Sequence, residues 1–189
     1  IFGTLTVTSG TYTGGLDVVK NEPGGNLTIN GGEFTLTTTV GTNGYTAVIY
    51  NYGTAILNNG IFTQAGTTPA KAYASVLITS KDKAEDPTPT TTVNNGTFEN
   101  KHTYSEAKIF RNLKKATYQN LEIKGGTYNK TVESSNATTS SIAYGYACVR
   151  DGDMYVLKTA STGASLDKSE ITLKVGETLQ LTATTTPDT

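Results

Sequence analysis

The 189-residue chain has a single cysteine, Cys148, and a single histidine, His102. One thiol excludes an intrachain disulfide, and one thiol with one imidazole is too few for a zinc-type ligand set, so neither a metal nor a cofactor is expected. No apolar run is long enough to cross a bilayer, which leaves no membrane insertion to expect from these residues. No signal peptide stands at Ile1, where the sequence opens inside a repeat and reads as cut at both ends. Charge of either sign is also in short supply, with 15 Lys and Arg against 16 Asp and Glu. A nucleic-acid binder would carry a basic stripe; the one dense basic cluster, Lys108, Arg111, Lys114 and Lys115, reads as a solvated loop. Helix formers are sparse while Thr, Gly, Asn, Val, Ile and Tyr are plentiful, a β-protein composition.

What the chain does have is a repeat. The stretch 26–34, Asn-Leu-Thr-Ile-Asn-Gly-Gly-Glu-Phe, recurs in altered form from Leu5, Ala55, Thr91 and Leu121. Each copy carries a glycine, Gly10, Gly32, Gly60, Gly96 or Gly126, with an aromatic ring two places on, Tyr12, Phe34, Phe62, Phe98 or Tyr128. Three places before each glycine stands an apolar residue, Val7, Ile29, Leu57, Val93 or Ile123. The glycines are 22, 28, 36 and 30 residues apart, too uneven for a helical or propeller repeat of fixed length. Such spacing suits stacked coils, whose strands must align while the loops between them vary at little entropic cost. Leu27 and Ile29 alternate with Thr28 and Asn30, as a strand half-buried against a core requires. Gly32 then takes a bend that a Cβ would resist and returns Phe34 to the interior, while Asn30, Asn58 and Asn94 favour the bend by bonding nearby backbone. By the same pattern Leu5, Val7 and Tyr12 are expected inward, and Thr91, which replaces the first apolar residue of its copy, marks a less buried strand end.

A second strand recurs at 16–21, 47–51, 75–79 and 107–112, so each coil has at least two, and the run 36–40 is a candidate third. Pro23-Gly24-Gly25 and Asn43-Gly44 read as turns. The stretch 81–89, charged and with two prolines, reads as an exposed excursion, and 134–141 as a polar loop. Arg150-Asp151-Gly152-Asp153 lies between two strand-like runs, a hairpin signal, and is expected to cap the last coil.

These coils resemble those of right-handed parallel β-helix proteins, the pectate-lyase-like group, over residues 1–158. The segment 166–187, with Lys174-Val175-Gly176-Glu177-Thr178 followed by Leu179-Gln180-Leu181, resembles the opening of a bacterial immunoglobulin-like domain of group 2. Its alternating runs 171–175 and 179–183 read as two strands about a turn at Gly176-Glu177. The expected fold is therefore all-β: a β-solenoid of about five coils with a hairpin cap (1–158), a linker (159–164), and a truncated immunoglobulin-like start (165–189). The second resemblance implies an extracellular or bacterial cell-surface protein.

Fold alone does not choose an activity. Polysaccharide-cleaving β-helices need carboxylates clustered on one outward face. Here Asp17, Glu33, Glu99, Glu106, Glu122 and Glu133 are scattered, and Asp82, Glu85 and Asp86 share a loop with lysines. Asp151-Gly152-Asp153 offers too few oxygens for calcium and reads as the hairpin turn. Tyr45, Tyr50, Tyr52 and Tyr73 are candidates for stacking on sugar rings, with about half expected in the core or a ladder. The reading is a non-catalytic adhesion, glycan-binding or display module, an adhesin fragment on an immunoglobulin-like stalk, with neutral glycans or host or cell-surface proteins as partners and no catalytic residue. The alternative is a carbohydrate-active enzyme domain, a polysaccharide lyase or glycoside hydrolase.

Overall fold

The computed structural model describes residues 1–40, 44–113, 121–132, 141–160 and 163–186, with backbone alone for Thr185 and Thr186. It is all-β, with no helix among the described residues. The first passage of the chain gives β1 (Thr4–Val7), β2 (Thr11–Gly14) and β3 (Asp17–Asn21), and the second gives β4 (Asn26–Ile29), β5 (Glu33–Leu36) and β6 (Tyr45–Asn51). The third gives β7 (Thr54–Leu57), β8 (Ile61–Gln64) and β9 (Tyr73–Ser80), and the fourth β10 (Thr90–Val93), β11 (Thr97–Asn100) and β12 (Lys108–Leu113). Then come β13 (Leu121–Ile123), β14 (Thr127–Tyr128), the hairpin β15 (Tyr146–Asp151) and β16 (Met154–Thr159), and β17 (Gly163–Leu166) with β18 (Ala183–Thr186).

Each passage visits three sheets in turn. The first sheet runs β1-β4-β7-β10-β13, the second β2-β5-β8-β11-β14, and the third β3-β6-β9-β12, every pair parallel. This topology is compatible with a β-helix-like fold. Val7, Ile29, Leu57, Val93 and Ile123 are directly opposed from strand to strand, and all five are buried. Each repeat thus has three strands, because the glycine bend separates the strand before it from the one bearing the ring. The candidate third strand at 36–40 is not one: Leu36 ends β5, and 37–40 pair with no strand.

The bend is held by its own ring. The five glycines have φ between 109° and 140°. A Cβ on Gly60 would lie 2.9 Å from Phe62 Cζ and 3.3 Å from Gly32 O of the preceding passage, so the ring folds back over a backbone that must be bare. The rings then stack on one another: Tyr12 on Phe34 at 4.8 Å, Phe34 on Phe62 at 5.2 Å, Phe62 on Phe98 at 4.9 Å and Phe98 on Tyr128 at 5.3 Å. Tyr12 is 37% exposed and Leu5 38%, short of the inward placement expected, because no strand among the described residues pairs on the far side of β1 or β2.

Where the third sheet turns back to the first, the interior is polar. Asn21 Nδ2 donates to Asn51 Oδ1 (2.8 Å), and Asn51 Nδ2 donates to Thr90 O (2.9 Å) and Thr91 Oγ1 (2.8 Å), which in turn lies 2.6 Å from Thr79 Oγ1. Thr91 is therefore fully buried, against expectation: its hydroxyl has partners inside, so it replaces the apolar side chain without leaving a polar group unsatisfied. The bend asparagines also depart from the expectation, bonding each other from coil to coil, Asn58 Nδ2 to Asn30 Oδ1 and Asn94 Nδ2 to Asn58 Oδ1, both at 2.7 Å.

The hairpin turns at Gly152, and β16 pairs antiparallel with β14, so the second sheet ends on a reversed strand. Beyond it the structure differs from the sequence reading. Residues 171–182 form no strand, and of the two expected runs only Ala183 enters one, at the start of β18; β17 pairs with β18, taking in Gly163 and Ala164 of the expected linker. Ile171, Leu173, Val175, Leu179 and Leu181 are all exposed, since no second sheet among the described residues covers them. Lys114, Lys115, Asn43, Glu133, Pro187 and most of the 134–141 loop lie outside the described residues.

Phe62 has rings on both sides, so Phe62→Ala is expected to cost about 3–5 kcal/mol in denaturant unfolding, and Gly60→Ala about 1–3 kcal/mol through its positive φ. Tyr12→Ala, at the exposed end of the row, should cost clearly less than Phe62→Ala; an equal loss would show that stacking between coils is not what the rings contribute.

Candidate functional site

The outer side of the third sheet gathers the aromatic residues that the core leaves out. Its inward row is Val19, Ile49, Leu77 and Phe110, opposed strand to strand. Asp17, Ala47, Ser75 and Lys108 are opposed in another row, and Tyr45 is opposed to Tyr73 two residues earlier. Before Asp17 the chain bends at Gly15 and Leu16, and before Lys108 it turns at 104–106, so among the described residues the Tyr45 and Tyr73 pair has no strand partner on either side.

The Tyr45 and Tyr73 rings stack at 5.2 Å between centroids with planes 25° apart, and Tyr104 tilts against Tyr73 at 6.4 Å. Nearby, Tyr50 and Tyr52 stack at 4.8 Å, and Lys20 Nζ lies 5.3 Å from the centre of the Tyr52 ring. All four tyrosines singled out in the sequence are thus in stacked pairs, none in the apolar core.

Arg111 reaches across this surface from β12. It is 2% exposed and, like Lys108, lies on β12, so the solvated-loop reading is overturned for these two members of the cluster: the strand turns the Arg111 stem outward, where the tyrosines cover it. Its guanidinium carbon is 5.3 Å from the centre of Tyr45 and 5.3 Å from that of Tyr73. The cation is therefore equally close to the two stacked rings. Nε donates to Ser75 Oγ at 3.3 Å and Nη2 to Glu106 O, and burial lowers its pKa. A cation against two rings is stabilised by their π faces and fixes their orientation.

Asp17 is the carboxylate of the group. It is half-buried and accepts the Ala47 N–H at 3.2 Å; desolvation raises its pKa, offset in part by that hydrogen bond and by Lys20. Tyr50 is raised as well, chiefly by burial, with its hydroxyl toward Tyr52 and Ser80.

The remaining residues that the sequence singled out lie elsewhere. Glu33 is in the second sheet and Glu122 in the first, so their carboxylates are not brought together. His102 is buried: Nδ1 accepts from Tyr104 N at 3.1 Å, which leaves Nε2 to donate to Pro69 O at 2.9 Å, a structural role. A groove of about 520 Å³ follows the outside of the bend past Gly10, Gly32, Glu33, Gly60 and Ile61. It is the outer side of the missing glycine side chains and gathers no aromatic or charged pair. Among the described residues no group of three or more His, Cys, Asp or Glu is placed to hold a metal ion. Comparison of the chain with protein-family models, with curated proteins and with solved structures finds no match.

Sequence reasoning missed Asp17 and Arg111, each of which reads as one of many dispersed charges. Aligning the second strands of the repeats by their ends would have put Tyr45 beside Tyr73.

Because burial raises the folded pKa of Asp17 above its unfolded value, the folded chain holds the proton longer, and stability falls as pH rises through that interval. Asp17→Asn keeps the acceptor for Ala47 N–H and removes the charge. It should raise the melting temperature at pH 7, with the gain fading below about pH 4, where an unfolded aspartate is itself protonated. A melting temperature lowered at neutral pH would show that the carboxylate is held by a favourable partner.

Proposed function

We propose that this chain is a non-catalytic module of an extracellular or cell-surface bacterial protein, built as a β-helix, that binds neutral glycans through the outer face of its third sheet. The observation that carries the reading is the pair Tyr45 and Tyr73, stacked in register on the surface with Arg111 holding both rings. Flat rings fixed in advance lose little freedom when a sugar packs against them, which is how a small contact area becomes a site. The near-zero net charge argues against steering of an acidic polymer by a strong field.

The non-catalytic part rests on the dispersal of the acids, since a glycosidase needs two carboxyl groups facing one bond and a lyase a charged cluster. The cellular location rests on the likeness of 166–187 to immunoglobulin-like stalk modules. A protein displayed on a surface can repeat a weak sugar contact many times, and avidity then supplies what one contact lacks.

The test assays the purified chain on polysaccharides for new reducing or unsaturated ends, and probes a glycan panel with single and clustered forms. The expected result is no turnover, with binding to neutral glycans by the clustered form. Turnover would overturn the non-catalytic reading, and silence of the clustered form on every glycan would overturn the glycan one.

A further inference from the structure

Resting on the glycan reading, we infer that the groove outside the glycine bend is a second sugar site, lined by none of the tyrosines, and that it takes a linear neutral glycan chain lying along the stack. The groove holds about 520 Å³ and is lined from four successive passages. One wall is a single outward row of the second sheet, in which Thr11 is opposed to Glu33, Glu33 to Ile61 and Ile61 to Thr97. Asn59 stands before the bend, and the backbone between must stay bare: a Cβ on Gly31 would lie 2.8 Å from Thr8 O, and one on Gly60 2.9 Å from Phe62 Cζ. The bend that the stacked rings require therefore leaves a trough on the outside of every passage it joins.

The row crosses the strands, so the groove follows the stack. Neighbouring strands are about 4.8 Å apart, so the three steps from Thr11 to Thr97 extend about 14 Å, room for about three pyranoses in an extended chain, whose rise per sugar is close to one strand spacing. The floor favours sugar over peptide. The carbonyls of Gly10, Gly32 and Gly60 already accept Glu33 N, Ile61 N and Thr97 N at 2.8, 2.9 and 2.8 Å, so a peptide strand finds no ladder there to join.

The walls offer side chains that pair with hydroxyls. Thr11 and Thr97 both donate and accept, the Glu33 carboxylate accepts, and Asn59, whose Oδ1 takes Gly60 N at 2.9 Å, has its amide NH2 to donate. Ile61, 46% exposed in the middle of the row, supplies an apolar contact for the C–H face of a ring. The charge decides the class of sugar. Of the residues lining the groove Glu33 alone is charged; it is exposed and, among the described residues, has no ion-pair partner. A uronic acid or sulfated sugar would meet a like charge, while a neutral sugar donates its hydroxyls to it.

The experiment measures the clustered full chain on linear neutral and acidic oligosaccharides of increasing length, for the wild type and for Ile61→Lys, Thr11→Lys, Glu33→Gln and Tyr45→Ala, with thermal melts of each. Thr11, Glu33 and Ile61 are exposed, so their variants should melt with the wild type. The expected result is affinity for neutral chains that rises until about three sugars are reached. Each lysine, which fills the groove, should reduce it roughly tenfold or more, and Glu33→Gln should admit acidic chains. Neutral-chain binding that survives both lysines and is lost in Tyr45→Ala overturns the groove while the glycan reading stands. A wild-type preference for acidic chains overturns the assignment of Glu33, and a wild type silent on all glycans overturns both.

Discussion

The stacking of one ring on the next, each ring resting on its own bare glycine, is the constraint from which the rest of the architecture follows. Phe62 touches Phe34 and Phe98, residues 28 and 36 positions away, and lies against Gly60 two positions back. A passage therefore completes its own bend only when the neighbouring passages are in place. A slip of one residue would turn Phe62 outward and put Ile61 inside, so the apolar row before the bend and the rings after it hold the register together. Loops outside this aligned part carry no such restriction. That is why the repeat can range from 22 to 36 residues without loss of register.

The same stacking satisfies the buried polar groups. Asn51 uses both ends of its amide, taking hydrogen bonds from Asn21 Nδ2 and Gly53 N and giving two to Thr90 and Thr91 of the fourth passage. Asn21 occupies the equivalent place in the first passage, but the residue two places on is Pro23, which has no N–H to give. Asn21 Oδ1 is accordingly buried without a hydrogen-bond partner, while its Nδ2 bonds Gly25 O, Asn51 Oδ1 and Thr54 O. The interior tolerates asparagine at this corner because the next coil brings its partners, and where a partner is missing the cost falls on a single oxygen.

The repeating elements were legible in the sequence because they answer to local rules: alternation gives a strand, a glycine with a ring two places on gives a bend, and Asp-Gly gives a hairpin. What escaped is what depends on which residues come side by side across coils. Thr91 reads as exposed by itself, yet it is buried because Asn51 and Thr79 meet its hydroxyl. Arg111 reads as a loop cation, yet its strand carries it beneath two tyrosines. The alternating runs around Gly176 have the pattern of strands, but alternation specifies a strand only when a sheet waits to bury one face. Here Val175 is fully exposed, and pairing is left to 163–166 with 183–186.

This division also explains where a site can arise on such a fold. Inward rows must pack every apolar group and pair almost every polar one from passage to passage, so they have little room to specialise. Outward rows meet no such demand, and the row Asp17, Ala47, Ser75, Lys108 changes at every step. Each change does something different on a backbone that keeps its register. Asp17 accepts the Ala47 N–H, the Ser75 hydroxyl receives Arg111, and Arg111 lies equally close to the stacked Tyr45 and Tyr73 rings. A regular column would present a uniform ribbon of equal weak contacts. An irregular one sets a stacked pair of rings and a buried cation at one place, on a scaffold whose regularity lies on its other face.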